Sequence, residues 1–336
     1  MTALRVGIIG CGWAGERHAA AYLGLRESAR IVAAADVVEE VAHGRASDWG
    51  ADSWTVDYRE LLARDDVDAV SICLPHSLHA EAAIEAAKCR KHILIEKPLA
   101  STLDEADQMI EAADANAVTL MVAETVRFNP SLREAARLIA TGYVGDLILL
   151  RVDRLHNMHD YLRARPWFLT DPAGGIMTSG GIHDFETVRM LGGEIDDVYA
   201  VQAKKALAAM SADDSSVAIA RLKSGAVATI AESFSTRTHE SGTRVGVHGT
   251  EASLWISGAT VSGYAAAQDN LPGEITEFQV EPGNPFDLEV AHFIECVEDG
   301  SVPLTSGRDQ RRPLVAVIAA YRSMDTRGAI KLDSFS

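Results

Sequence analysis

The first third of the chain alternates short apolar runs with Ala- and Glu-rich stretches that have helical spacing. The apolar runs are typical of strands, and the stretches between them, such as 79–89 and 103–116, are typical of helices. Strands that are apolar on both faces must be covered on both faces, and helical crossovers provide this cover. Residues 1–123 are therefore predicted to form a doubly wound domain with a parallel sheet. Its predicted strands lie at 4–9, 31–35, 69–74, 92–95 and 119–123.

The pattern changes after a predicted helix at 130–141. Longer runs with imperfect alternation follow, and turn-rich breaks such as 223–225 separate them, which indicates a mostly antiparallel sheet. Residues 124–336 are therefore predicted to form an α+β domain with a large open sheet, for substrate binding and oligomerisation. Its last two helices, at 285–299 and 308–327, can pack back on the first domain. The predicted strands lie at 147–155, 198–206, 217–222, 227–234, 244–248 and 253–256.

Composition and charge narrow the function classes. A chain of 336 residues is long enough for two domains with real cores. A formal net charge of −17 argues against nucleic acid and anionic membranes as partners. No apolar run approaches the ~20 residues of a membrane span or resembles a signal peptide. The four cysteines show no C-x-x-C spacing, which favours a cytoplasmic location.

The open sheet also predicts self-association. It has two faces, and the few helical segments of the second domain suffice to cover one of them. The other face is expected to meet a second subunit, so we predict a homodimer or homotetramer.

A glycine motif between the first strand and the first helix indicates a dinucleotide site. Residues 10–15 read Gly-Cys-Gly-Trp-Ala-Gly and fit G-x-G-x-x-G. In this pattern one glycine permits a tight turn, one lets the backbone approach a pyrophosphate and one allows close helix packing. The predicted phosphate-binding residues are Gly10, Gly12, Trp13, Ala14 and Gly15.

Asp36 ends the predicted second strand, about 20 residues after the glycine motif, where a carboxylate accepts hydrogen bonds from the adenosine ribose. A carboxylate at this place repels a 2′-phosphate, and Val37 and Val38 follow it in place of a Ser-Arg pair. NAD is therefore the predicted cofactor, and NADP is less favoured.

Two further segments follow predicted strands, at the carboxyl edge where open α/β sheets bind ligands. Pro98 keeps Lys97 out of helical geometry. An oxidised nicotinamide nearby would lower the pKa of Lys97 towards a range useful for acid-base chemistry. The predicted cofactor contacts in these segments are Leu74, Pro75, His76, His79, Glu96 and Lys97.

A second glycine-rich segment, 174–184, runs into an apolar helix that has His183 at its beginning. An unperturbed histidine has a pKa near neutrality and suits proton transfer. The polar and aromatic stretch before this segment is a candidate substrate rim, although loop packing explains it equally well. The candidate rim consists of Tyr161, Arg163, Arg165 and Trp167.

Taken together, the glycine motif, Glu96-Lys97-Pro98, residues 127–130 and residues 174–183 resemble the glucose-fructose oxidoreductase / inositol dehydrogenase / MocA family. The resemblance extends over nearly the whole chain. It implies a Rossmann domain, a second domain with a large open sheet, and dimers or tetramers. It also implies hydride transfer between NAD(P) and a hydroxyl carbon of a sugar, cyclitol or related polyol.

The resemblance assigns Lys97 to the family's active-site lysine and His183 to the histidine of its G-G-x(3)-D-x-G-x-H pattern. We expect His183 to take the substrate hydroxyl proton while Lys97 donates a hydrogen bond to the developing oxyanion. The aspartate of that pattern is Ser179 here, which can orient an alcohol but cannot accept a full proton. Candidates for its role are Thr178, Asp184 and Glu124, and the predicted substrate contacts are Glu124, Arg127, Thr178 and His183 with the candidate rim.

Three other functions stay open. A metal enzyme has candidate ligands, but none of them forms an H-E-x-x-H helix, so no metal is predicted. An NAD-assisted sugar elimination or glycoside cleavage without net redox change is a second alternative, and a nonenzymatic NAD-binding sensor is a third. The candidate metal ligands are His76, His79, His156, His159, His183, Asp184 and Glu186.

Overall fold

The computed structural model describes residues 3–170, 174–238, 242–265 and 273–335. The chain divides into two compact units. Unit 1 consists of Met1–Thr125 and Asn284–Arg312, and unit 2 consists of Val126–Gly283 and Pro313–Ser336.

Unit 1 contains a parallel six-stranded sheet with the strand order β3-β2-β1-β4-β5-β6. The predicted doubly wound parallel sheet is therefore confirmed. Its strands are β1 (Leu4–Ile9), β2 (Ala29–Ala35), β3 (Ser53–Thr55), β4 (Ala69–Ile72), β5 (His92–Glu96) and β6 (Leu120–Ala123). Its helices are α1 (Trp13–Gly24), α2 (Glu39–Trp49), α3 (Tyr58–Leu62), α4 (His79–Lys88), α5 (Leu103–Ala115) and α11 (Pro285–Asp299).

The unit 1 strands form because their side chains are apolar on both faces. Every residue of β4 is buried, as are all but one of β1 and of β2. The prediction missed β3, a strand of three residues without a fully buried side chain, so no apolar run marks it. Helix α5 starts at a capping box, in which Thr102 accepts from the Glu105 N–H and Glu105 accepts from the Thr102 N–H.

Unit 2 contains a nine-stranded sheet with the order β14-β13-β12-β11-β7-β10-β9-β8-β15, in which β7 and β10 are parallel and the other described pairs are antiparallel. The predicted large, mostly antiparallel sheet is confirmed. Its strands are β7 (Leu147–Leu155), β8 (Ile195–Gln202), β9 (Ser215–Leu222), β10 (Val227–Ser233), β11 (Gly242–Gly249), β12 (Ala252–Ser257), β13 (Thr260–Ala265), β14 (Glu274–Phe278) and β15 (Ile330–Lys331). Its helices are α6 (Pro130–Ala140), α7 (His159–Arg163), α8 (Pro166–Thr170), α9 (Ile176–Ser179) and α10 (Gly181–Gly192), while α12 (Gly307–Thr326) begins in unit 1 and continues in unit 2.

One predicted strand is displaced. The apolar run suggested a strand at 198–206, whereas β8 spans Ile195–Gln202. The chain turns after β8 because the Asp214 carboxylate accepts hydrogen bonds from the N–H groups of Ala206 and Leu207, at 2.7 and 2.5 Å. These contacts take the backbone of both residues out of the sheet.

The unit 2 sheet has one covered face and one open face. Helices α6, α9 and α10 pack against its covered face. Alternation along the strands places apolar side chains on the other face, which we call the open face. Five of them are between 38% and 45% exposed, namely Tyr199, Val201, Val217, Ile219 and Trp255, and the register adds Leu149 and Tyr264, each 37% exposed.

Candidate functional site

The glycine motif of unit 1 forms a tight turn between β1 and α1. Gly10 has φ +90°, and a Cβ there would collide with the Cys73 carbonyl oxygen. A Cβ at Gly15 would collide with the carbonyl oxygen of Gly10, so this glycine allows α1 to sit close to the turn. Gly12 is the N-cap of α1, makes no side-chain cap, and a Cβ there would meet only open space. The start of this helix is therefore open to a phosphate group, as a dinucleotide requires.

Asp36 directly follows β2 and is tied to the glycine turn. Its Oδ2 accepts a hydrogen bond from the Cys11 N–H at 2.9 Å, and its Oδ1 accepts one from the Val38 N–H at 3.0 Å. The carboxylate is half-buried, and each oxygen keeps a further lone pair. This arrangement suits the two hydroxyl groups of an adenosine ribose, so the residues present fit NAD.

Trp13 and Ala14 form the first turn of α1. The indole of Trp13 is 45% exposed and lies edge-on to Phe286 of α11, with ring centroids 6.1 Å apart. The Arg17 guanidinium lies 5.4 Å from the Trp13 ring centroid. Ala14 is half-buried. An aromatic wall therefore borders the start of the helix.

The segment after β4 contains Leu74 and Pro75, both half-buried, and two buried histidines. His76 and His79 lie with ring centroids 5.8 Å apart. The His79 Nδ1 lies 2.8 Å from the Pro98 carbonyl oxygen, and its Nε2 lies 2.9 Å from the Leu74 carbonyl oxygen. Burial lowers the pKa of His79, and the two carbonyl contacts partly oppose that shift. Its ring thus joins two backbone segments of the predicted cofactor edge.

Lys97 follows β5 and is half-buried. Its backbone N–H donates to Glu96 Oε2 at 3.1 Å, and Glu96 Oε1 lies 3.5 Å from His18 Nε2. The peptide bond between Lys97 and Pro98 is cis. The structure therefore brings the predicted residues Glu96 and Lys97 together at the carboxyl edge of the sheet.

Glu124 follows β6 and is fully buried. It faces Glu289 of α11, a residue that the sequence reasoning did not select. Burial, followed by the negative charges of Glu96 and Glu124, raises the pKa of Glu289 well above its usual range. An acidic interior therefore lies behind the edge that presents Lys97.

In unit 2, the second glycine-rich segment rests on a buried hydrogen-bond network. Asp213 accepts from the Tyr321 hydroxyl at 2.6 Å, from the Ser216 hydroxyl at 2.6 Å and from the Met177 N–H at 3.2 Å. Thr178 donates to the Tyr321 oxygen at 3.1 Å. Burial and the neighbouring Asp213 raise the pKa of Tyr321. Sequence reasoning missed Asp213 and Tyr321, because residues so far apart in the chain carry no common pattern.

Ser179, which the resemblance assigns to the position of the family aspartate, ends the short helix α9. Its hydroxyl donates to the Gly175 carbonyl oxygen at 2.8 Å, and the side chain is buried. The hydroxyl is therefore bonded to the backbone of its own helix.

His183 is half-buried in the first turn of α10. The residue after it, Asp184, is fully buried and held by the Arg154 guanidinium, with the shortest contact at 2.6 Å. Two residues after Asp184, buried Glu186 accepts from Arg127 at 2.7 Å and from Arg189 at 2.5 Å. Ion pairs thus fix the helix that carries His183, and Arg127, a predicted substrate contact, takes part in one of them.

The candidate rim lies in α7, α8 and the residues between them. The Arg165 guanidinium lies 3.6 Å from the Tyr161 ring centroid, and Arg163 is exposed near Asp160. Trp167 is in α8, but its side chain is outside the described residues. Tyr161 packs on an apolar cluster that includes Leu162, Ile176, Leu207, Met210 and Phe234, so the rim segment is attached to α9.

Two structural findings are negative. In the ranges 3–170, 174–238, 242–265 and 273–335, no three His, Cys, Asp or Glu side chains are grouped as metal ligands. No helix within the described part of the chain is long and apolar enough to cross a membrane.

A comparison with models of protein families shows to which family the chain belongs. Residues 4–124 match a family model described as the oxidoreductase family with an NAD-binding Rossmann fold. Residues 132–255 match the model of the GFO/IDH/MocA C-terminal domain. The chain belongs to the GFO/IDH/MocA oxidoreductase family. Unit 1 accordingly contains the NAD-binding domain of an oxidoreductase.

Relatives within the family match over most of their length. Myo-inositol 2-dehydrogenase of Thermotoga maritima is 28% identical, over 98% of this chain and 99% of that protein. D-xylose 1-dehydrogenase (NADP(+)) 2 of Haloferax volcanii is 30% identical, over 94% of this chain and 93% of that protein. A solved structure of levoglucosan dehydrogenase in complex with NADH and levoglucosan matches 98% of this chain and 100% of its own, with a TM-score of 0.89 at 23% identity. This match shows the shared fold.

Proposed function

We propose that this chain is an NAD-dependent dehydrogenase or reductase that acts on a CH–OH group of a sugar, cyclitol or related polyol. The observation that carries the proposal is the open start of α1 beside the Asp36 carboxylate, which suits a dinucleotide without a 2′-phosphate. The substrate class is supported by the family relatives, whose names include inositol and xylose dehydrogenases.

The proposed acid-base group is His183. Its imidazole accepts the proton of the substrate hydroxyl during oxidation and returns it during reduction, because its ordinary pKa lies near neutrality. The Lys97 ammonium donates a hydrogen bond to the same oxygen as negative charge develops there. NAD, when bound, supplies the hydride acceptor for the carbinol carbon.

The remaining predicted residues have supporting roles in this proposal. The first turn of α1 holds the phosphate groups, and Asp36 holds the ribose. His79 and Glu96 keep the backbone around Lys97 and Pro98 in place through the contacts at 2.8 and 3.1 Å. Thr178 and the candidate rim are proposed to contact the substrate hydroxyls.

Paired variants test the two central roles. Lys97→Ala and His183→Ala should each lower kcat at least ~100-fold and leave the Kd for NAD within about threefold, as expected for loss of an acid-base or oxyanion group. Lys88→Ala, at an exposed position of α4, is the matched control. Turnover close to that of the wild type in either active-site variant would remove that residue from the mechanism.

We also propose that the open face of unit 2 mediates a homodimer or homotetramer. Five apolar side chains that are 38% to 45% exposed on one sheet face form the kind of patch that proteins usually cover. A second copy of the same face is the simplest partner, because isologous contacts close on themselves.

A further inference from the structure

Glu232 is a buried carboxyl in unit 2 that the proposed function does not use. It lies on β10, is 2% exposed, and has Arg154 of β7 and Ser216 of β9 as its cross-strand neighbours. Neither of its oxygen atoms accepts a hydrogen bond from a donor in the described part of the chain. An ionised carboxylate in such an environment is costly unless a cation pairs with it.

The cation beside Glu232 is already committed to another carboxylate. Arg154 Nε lies 3.0 Å from each oxygen of Asp184, and its NH2 donates to Oδ1 at 2.6 Å. This forked contact uses the planar geometry of the guanidinium.

Among the described residues, the other groups whose charges act on Glu232 include the acids Asp184 of α10 and Asp213 before β9, and Tyr321 of α12 interacts with it. His156, which follows β7, interacts with Arg154 and Asp184 of the same cluster. Burial and the neighbouring Asp184 raise the pKa of Glu232 well above its usual range.

Helix α10, which carries His183, begins at Gly181, next to the Glu232 carboxyl. A Cβ at Gly181 would lie 3.0 Å from Oε2 of Glu232 and 2.8 Å from the sulfur of Met177, so the absence of a side chain at Gly181 lets both groups approach the start of the helix. Asp184 follows His183 in the same turn of α10. Whatever fixes Asp184 therefore fixes the backbone of His183.

We propose that Glu232 is a positioning residue for His183: its protonated carboxyl donates a hydrogen bond to Asp184 and, together with Arg154, anchors the first turn of α10. Arg154, Asp184 and protonated Glu232 then carry no net charge. An ionised Glu232 would add a negative charge beside this turn and compete with Asp184 for Arg154. This inference rests on the proposed role of His183.

Two substitutions separate the hydrogen bond from packing. Glu232→Gln keeps the shape and a donor but cannot ionise, whereas Glu232→Leu keeps the approximate volume without a donor. Glu232→Gln should keep kcat within about threefold of the wild type at pH 7 and extend activity to higher pH. Glu232→Leu should lower kcat more than tenfold with little change in KM. Three results would each overturn the proposal. The first is equal activity of the two variants, the second is an unchanged alkaline limit of activity in Glu232→Gln, and the third is a loss of activity above tenfold in Glu232→Gln at pH 7.

Urea unfolding provides a readout that needs no turnover. The folded wild type keeps a proton on Glu232 that the unfolded chain releases above about pH 4.5. The unfolding equilibrium constant of the wild type, relative to Glu232→Gln, should therefore rise about tenfold per pH unit until the folded carboxyl ionises. Glu251→Gln, at an exposed turn, is the control and should show no such trend. A ratio that stays constant from pH 5 to pH 8 would overturn the proposal. Full turnover of His183→Ala would instead remove His183 from the proposed mechanism and leave this proton linkage intact.

Discussion

Replacement of Asp36 by Ala should weaken the binding of NAD and shift the cofactor preference towards NADP. In the structure, Asp36 Oδ2 accepts from the Cys11 N–H at 2.9 Å and Oδ1 from the Val38 N–H at 3.0 Å, which aims the carboxylate and leaves one lone pair on each oxygen for a ribose hydroxyl. A hydrogen bond to a charged group contributes about 1.5 kcal/mol at the lower end of the usual range, so two of them contribute about 3 kcal/mol. The variant should therefore bind NAD roughly 100-fold more weakly.

NADP should respond in the opposite direction. Its 2′-phosphate replaces one ribose hydroxyl and brings a negative charge towards the carboxylate, so removal of Asp36 removes a repulsion. The Kd for NADP should stay constant or decrease, and the ratio of the two Kd values should change by about two orders of magnitude.

Isothermal titration calorimetry with each dinucleotide measures both affinities without a substrate. Asp52→Ala is the matched control, because Asp52 is an exposed carboxylate that pairs with Arg30 at the start of β2, the strand that Asp36 follows. A less than threefold change in the NAD affinity of Asp36→Ala would refute the reasoning. An equal loss of affinity for NAD and NADP would also refute the reasoning, since it would mean that Asp36 only shapes the glycine turn.

Three further substitutions have expected outcomes. Ser179→Asp should lower both the melting temperature and kcat, because a carboxylate cannot donate to the Gly175 carbonyl oxygen as Ser179 does at 2.8 Å; a rise in kcat would contradict this view of the serine. Arg127→Met should lower the free energy of unfolding by about 2 kcal/mol in a urea titration, because it removes the 2.7 Å contact to buried Glu186 and leaves the contact from Arg189, and no measurable change would argue against a structural role for the pair. Ile219→Asp on the open face should convert the expected oligomer to monomer in light scattering, with Lys223→Asp at an exposed turn as the control, and an unchanged mass would locate the interface elsewhere.

Elements with a strong local pattern were predictable from the sequence. The bounds of β1, β7 and α11 agree with the predicted ones, because the apolar run, the imperfect alternation and the helical spacing that mark them end at these residues. The strands β13 and β14 were not predicted. Gly263 interrupts the first, where a Cβ would meet Tyr143 and Phe278, and the second is largely exposed at the sheet edge.

The site was predictable only where one segment contains the whole signal. The glycine motif and Asp36 form such a segment, and the structure joins them through the Cys11 N–H. The acids beneath the second glycine-rich segment were not predictable, because Asp213 meets Tyr321 and Glu232 lies beside Arg154 only after the strands and α12 have packed. The spacing of residues along the chain does not indicate partners that are so far apart in the sequence.

The most direct test of the central claim is an absorbance assay for reduced nicotinamide. The wild-type protein would be incubated with NAD and, in turn, with inositols, aldoses, sugar acids and glycosides, and then with NADH and keto-sugars for the reverse direction. Our account predicts that at least one polyol or its ketone gives a substrate-dependent change in absorbance, and that NAD supports it better than NADP. No change in either direction, for a protein that calorimetry shows to bind NAD, would contradict the account and favour NAD-assisted chemistry without net redox change.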